Sequence, residues 1–302
     1  MEKVYDQYFG QTIQCLRFKF QMKKTDKFIA LVLAADRTSN DPVANKSGMA
    51  CKAFASICGI PMIIRVLDAL EASGMIRAIV LCGPPESMLP GCPELEKRIG
   101  RGYVTWLPNL DSPSRSANRG LEHIDDDVPV LLTTADHALL TPEIVQYFLR
   151  ESSNADSDAT VGLVKHENVI AAFPGTKRTV IRLRDGDFCG CNLYTFLNHH
   201  GRDLVSFWGR AEDLRKQPWR LVGEILGPIA ILLYLLRMST LNQALNAVSA
   251  KAGVRSHAVI IPYAQAGVDV DKAEDIVLVE SVLEEATPLP FDKNGTSHHF
   301  PM

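Results

Sequence analysis

The sequence has little cysteine, almost no net charge and no long apolar run, and each shortage closes off a class of protein. Seven cysteines in 302 residues are too sparse for a disulfide scaffold, and the odd count leaves one unpaired. A reducing cytoplasm is the simplest compartment for such a chain. Lysine and arginine total 32 against 35 aspartates and glutamates, a net charge of −3. No bulk positive charge is available to hold the chain on nucleic acid. With 46% hydrophobic residues it is also not a disordered chain, which would pair low hydrophobicity with high net charge. The most apolar window, Ile225 to Leu236, contains Pro228 and is about a dozen residues long, where a membrane span needs ~20. It reads as a buried helix. The first 26 residues lack the apolar core of a secretory signal.

Two glycine signatures are missing as well. A dinucleotide-binding turn would show G-x-G-x-x-G after the first apolar strand, and a P-loop would show G-x-x-x-x-G-K-[ST]. The segment from Ala34 to Lys52 reads AADRTSNDPVANKSGMACK. Neither fingerprint is there, which argues against a dehydrogenase or a P-loop kinase.

What the sequence does have is alternation. FIALVLAA (28–35), AIVLCG (78–83), VTWL (104–107) and VPVLLTT (128–134) are short apolar runs without polar alternation, as strands buried on both faces require. Helical spacing separates them over Pro61–Ser73, Ser114–His123 and Pro142–Arg150, the last with Thr141 as N-cap. Strand–helix repetition of this kind gives a parallel sheet with right-handed crossovers. Beyond it, ATVGLVK (159–165), TVIRLR (179–184) and CNLYTF (191–196) read as strands of an α+β half. A helical region over 202–251, the strand HAVIIPY (257–263) and a helix over Lys272–Glu285 follow. The expected fold class is α/β, a Rossmann-like, mainly parallel sheet flanked by helices, with a helical and α+β insertion in the second half. The expected organisation is an extension (1–26), one domain (27–287) and a flexible tail (288–302). Within the domain, 27–150 is the nucleotide-binding half, 151–256 the acceptor half, and 257–287 the return strand and helix.

Three segments carry a family resemblance. LVLAADR (31–37) is followed by Lys52, with Gly59, Pro61 and Met62 downstream; VPVLLTTADHALLTPEIV (128–145) contains Asp136; GVDVDKAEDI (267–276) contains Asp271. In this order and spacing they resemble the MobA-like NTP transferases. These GT-A-type enzymes move a nucleotide from an NTP onto a phosphorylated acceptor. The resemblance implies Mg²⁺ held by Asp136 and Asp271, with Asp269 a competitor for the second position. It implies catalytic roles for Asp136, Arg37 and Lys52, the two cations also gripping the triphosphate. Base and ribose contacts would come from Ala34, Ala35, Gly83, Ser114 and Ser116. The base stays open, with CTP or GTP favoured.

The chemistry asks for these residue types. An acceptor phosphate oxygen attacks the α-phosphorus of the NTP and pyrophosphate leaves, so anions must be neutralised and aligned. Mg²⁺ suits this because it takes one or two carboxylates and keeps room for waters and phosphates. Asp136 follows an apolar strand, at the sheet edge where open α/β folds bind ligands. The acceptor would meet Arg178, Arg182, Arg184 and Asn192, the three arginines sharing parity along an extended chain.

The first loop departs from the family pattern. Asp36 stands in place of its first glycine, and no glycine follows before Gly48. Backbone amides wrap phosphates closely only where glycines permit, so Arg37 and Lys46 would have to substitute cations for amides. Two other readings stay open. One is a catalytically weakened nucleotide-binding protein. The other is a GT-A glycosyltransferase using a nucleotide sugar, for which VDVD (268–271) offers a D-x-D. The acceptor is a phosphorylated small molecule or a lipid. The lipid option rests on four cations and two tryptophans between Trp208 and Arg220, just before the oily window, which would set the protein against the inner membrane face.

Overall fold

A computed structural model describes residues 27–34, 42–49, 51–214, 233 and 236–286. In chain order the first half comprises β1 (Phe28–Leu33), α1 (Pro42–Ser47), β2 (Ser56–Ile57), β3 (Ile60–Pro61), α2 (Met62–Ala72), β4 (Ile76–Cys82), α3 (Pro93–Gly100), β5 (Val104–Leu107), α4 (Pro113–Leu121), β6 (Val130–Thr134) and α5 (Pro142–Asn154). The second comprises β7 (Ala159–Lys165), α6 (His166–Ala172), β8 (Ile181–Leu183), β9 (Gly186–Phe196), α7 (His199–Leu214), α8 (Leu241–Ala252), β10 (Ser256–Ile260) and α9 (Ala273–Ala286).

Eight strands form one sheet, ordered β5-β4-β1-β6-β9-β7-β10, with β8 paired to β9. β5, β4, β1 and β6 are mutually parallel, as the apolar runs predict. β9 is antiparallel to both its neighbours, β6 and β7, and β10 is parallel to β7. The reversal is local: β8 turns into β9 across Asp185, so this pair is a hairpin rather than a crossover unit.

Burial on both faces explains why the first strands show no alternation. Ala30 and Val32 of β1 face one apolar layer, shared with α2 and α5 through Leu67, Leu70, Ile144 and Phe148. Leu31 and Leu33 face the other, shared with α4 and α7 through Leu121 and Val205. Helix starts follow ordinary capping chemistry. The hydroxyl of Thr141 accepts the amide of Ile144, and that of Ser112 accepts the amide of Arg115, each with proline next in sequence.

After β10 the chain makes one short turn, Ala264–Gly267, and comes back over the carboxyl end of β6. There the amide of Val270 donates to the carbonyl of Asp136 at 3.0 Å. That crossing brings the two ends of the domain to one place. Among the described residues no helix is long and apolar enough to cross a membrane. Most of the oily window, with Arg215, Lys216, Trp219 and Arg220, lies outside the described residues; Trp208 stands exposed on α7.

Candidate active site

β1, β4 and β6 end level with one another, Leu33 pairing with Cys82 on one side and Thr134 on the other. The ladder runs one residue further, the amide of Ala34 donating to Cys82 and that of Ala135 to Leu33, both at 2.9 Å. At this edge Gly83 has φ +84, and a Cβ there would stand 3.3 Å from the carbonyl of Ala34 and 3.2 Å from the Cβ of Asn109. Only glycine fits both the backbone conformation and the approach. The exits of the first two strands thus touch, leaving a floor of bare backbone.

Asp136 stands at the exit of β6. Thr134 donates to its Oδ1 at 2.5 Å, and the ammonium of Lys52 donates to its Oδ2 at 2.7 Å. The same ammonium donates to Oδ1 of Asp271 at 2.8 Å. Lys52 starts a helical turn whose next residues, Ala53 and Phe54, are core, so its backbone is fixed by packing. Burial opposes its charge, yet Asp136 and Asp271 outweigh it and hold the ammonium well above the usual lysine range. Asp269 has the opposite bias: burial, then the nearby charges of Asp136 and Asp271, push its carboxyl up. His137 is wholly buried behind Asp136, and burial pushes its imidazole down to about 4 against the pull of that carboxylate.

Two carboxylate oxygens therefore converge on one positive charge. Among the described residues no group of three or more His, Cys, Asp or Glu forms a metal cage. A pair of hard oxygen donors, with Asp271 half-exposed, fits Mg²⁺, which takes one or two carboxylates and leaves its other positions to water and phosphate. The donor set does not suit a structural zinc site.

The sequence model of the MobA-like NTP transferase domain matches residues 30–266. The chain belongs to this family. A MobA-like NTP transferase is a nucleotidyltransferase, and transfer from an NTP is the class of chemistry the family model implies for this chain. A hypothetical transferase from Thermus thermophilus is similar at 30% identity over 83% of this chain and 99% of its own, with TM-score 0.69. Two solved structures share the fold at lower identity. CMP:2-keto-3-deoxy-manno-octonic acid synthetase, complexed with CTP, is 14% identical over 86% of this chain and all of its own, TM-score 0.51. A nucleotidyl transferase from Methanothermobacter thermautotroptrophicus is 16% identical over 87% and all of its own, TM-score 0.50. Among curated proteins nothing matches.

Within this MobA-like frame the remaining expected site residues fall into three groups. Ala34 and Gly83 line the edge beside Asp136, while Ala35 and Arg37 lie outside the described residues. Ser114 and Ser116 open α4, as predicted for a helix start, but both hydroxyls are engaged. Ser114 donates to Glu212 of α7 at 2.6 Å, and Ser116 donates to the carbonyl of Ser112 while accepting the amide of Leu110. They tie the loop before α4 to itself and to α7.

The expected arginine face does not form. β8 spans only Ile181–Leu183, so strand parity never reaches Arg178. Arg182 and Arg184 are exposed, whereas the Arg178 side chain is 6% exposed and bound to Asp269 and Asp275. Asn192 also turns to Asp269, at 3.1 Å. Sequence reading did not place Thr134, Asp275 or Glu212 at the site, yet each bonds to an expected site residue, Asp136, Arg178 and Ser114 respectively. Thr134, the last residue of β6 and two before Asp136, carried a usable signal in that short spacing; none existed for Glu212, which is distant in sequence.

Proposed function

We propose that this protein is a Mg²⁺-dependent nucleotidyltransferase that moves an NMP from an NTP to a phosphorylated acceptor and releases pyrophosphate. The observation that carries this reading is the pair of carboxylates, Asp136 and Asp271, gathered on the ammonium of Lys52 at the sheet edge. Mg²⁺ held there would neutralise the phosphates in the transition state. Thr134 orients one oxygen of Asp136 and leaves the other to accept from that ammonium. Lys52 supplies a point charge for the triphosphate, joined by Arg37 from the glycine-poor first loop. The backbone floor at Ala34 and Gly83 takes the base, CTP or GTP being favoured. Arg182 and Arg184, which stay exposed, are the cations left to meet the acceptor phosphate.

Pyrophosphate release from the four NTPs, with Mg²⁺ and a panel of soluble and lipid phosphates, tests this. One NTP with one acceptor class should turn over. Nucleotide binding with no release under any combination would move the protein to the weakened binding class. Turnover of a nucleotide sugar alone would move it to the glycosyltransferases. Sedimentation with anionic liposomes at low salt separates a lipid acceptor from a soluble one.

A further inference from the structure

Arg178 sits on the coil between α6 and β8, outside the lysine–carboxylate cluster. Its guanidinium uses both arms. Nη1 donates to the carbonyl and Oδ1 of Asp269 at 2.7 and 2.8 Å, and Nη2 donates to Oδ1 of Asp275 at 2.9 Å. Nε donates to the hydroxyl of Thr176 at 3.1 Å. The other oxygen of Asp275 accepts the backbone amides of Asp271 and Lys272 at 3.0 and 2.8 Å. The other oxygen of Asp269 accepts from Asn192, a non-glycine residue at φ +51. All four carboxylate oxygens of Asp269 and Asp275 are thereby engaged, while Oδ1 of Asp271 accepts from Lys52 beside Asp136.

We infer that Arg178 is a positioning residue of the active site: through Asp269 and Asp275 it fixes the 269–272 turn so that Asp271, and not Asp269, joins Asp136 at the Lys52 ammonium. The inference rests on the reading of Asp136 and Asp271 as the metal-holding pair. It also decides between the two aspartates of the D-x-D, since Asp269 could turn inward only by abandoning a buried arginine. A buried fork of this kind is costly to break from one side, because the partner charge is left uncompensated. The bidentate geometry matters as much as the charge, so lysine is a poor substitute. Groups that orient metal-binding carboxylates typically change metal affinity about 10–100-fold when removed.

Mn²⁺ binding, read by electron paramagnetic resonance with the metal alone and with CTP added, tests the inference on the full chain. Arg178→Gln and Asp275→Asn should each weaken Mn²⁺ at least about tenfold. Arg178→Lys should recover only part of the loss, and the KM for metal should rise more than kcat at saturating metal falls. Thermal melts run alongside keep the comparison to variants that unfold cooperatively; Asp275→Asn keeps the side-chain volume if Arg178→Gln does not fold. Wild-type Mn²⁺ affinity in either folded variant would overturn the positioning role and leave a purely structural ion pair. The parent reading fails separately: it falls if Asp136→Asn binds Mn²⁺ as tightly as wild type.

Discussion

At the scale of single residues, the site turns on which charges can face each other across 3 Å. Asp136→Asn keeps shape and hydrogen bonding and removes one direct charge. Folding should survive and pyrophosphate release should fall by orders of magnitude, since neutralisation of developing phosphate charge is lost. Undiminished release from a folded Asp136→Asn protein would remove Asp136 from the chemistry. Lys52→Ala should weaken NTP binding by about 1–3 kcal/mol, the scale of a charged hydrogen bond, with a smaller loss for the monophosphate. Equal losses for both ligands, by calorimetry, would show that Lys52 does not touch the outer phosphates. Legibility at this scale followed chemistry. That Asp136, Asp271 and Lys52 meet was foreseeable because a strand end, a D-x-D and a fixed spacing to Gly59-Ile60-Pro61-Met62 are local patterns. The burial of Arg178 was not legible because its partners Asp269 and Asp275 lie 91 and 97 positions away, and nothing local distinguishes a clamped arginine from a free one.

Elements were legible where one face, or both, met the core. β5 and β7 have the limits that their apolar runs suggest, and α2 and α5 start where proline and a threonine cap predict. The antiparallel course of β9 was not, because direction depends on pairing partners rather than on periodicity. Short helices such as α1 and α3 carry too few apolar residues to show a stripe. Two substitutions test how elements are fixed to each other. A Cβ at Gly201, in the first turn of α7, would run into the backbone carbonyl of Asp158. The helix-propensity gain of alanine, ~1 kcal/mol, should lose to overpacking of about 1–3 kcal/mol because backbone cannot rotate aside. Gly201→Ala should therefore lower the denaturation midpoint, and a higher midpoint would contradict the packing. Asp158 ties β7 to the start of β10: Arg255 donates to it from side chain and backbone, and Asn198 adds an amide. The hydrogen bonds of Arg255 outweigh burial and hold the Asp158 carboxyl well below the usual carboxylate range. A depressed folded value stabilises above the unfolded value of ~3.9 and is lost as pH falls through the folded one. The melting-temperature gap between wild type and Asp158→Asn should be widest above pH ~5 and shrink below pH ~4. A gap constant from pH 3 to 7 would assign the effect to packing.

For the molecule as a whole, ligand binding and folding are linked. Any ligand that binds only the native state at a hundred times its dissociation constant adds about 2.7 kcal/mol to stability. Mg²⁺ with the matching NTP should therefore raise the melting temperature by several degrees, and Asp136→Asn should lose that metal-dependent rise. A wild-type rise with NTP that is the same in EDTA would separate nucleotide binding from the metal. The return of the chain over β6, where Val270 meets Asp136, also sets a timetable. Lys52 and Asp136 lie 84 positions apart, whereas Lys52 and Asp271 lie 219 apart. A chain leaving the ribosome at ~5–20 residues per second makes its first half-site on the order of ten seconds before the second carboxylate exists. Until then Lys52 and Asp136 neutralise each other and offer a doubly charged cation no second ligand. On the function proposed above, the catalyst would be inert while it is being made. Its activity would begin with the arrival of a single late turn.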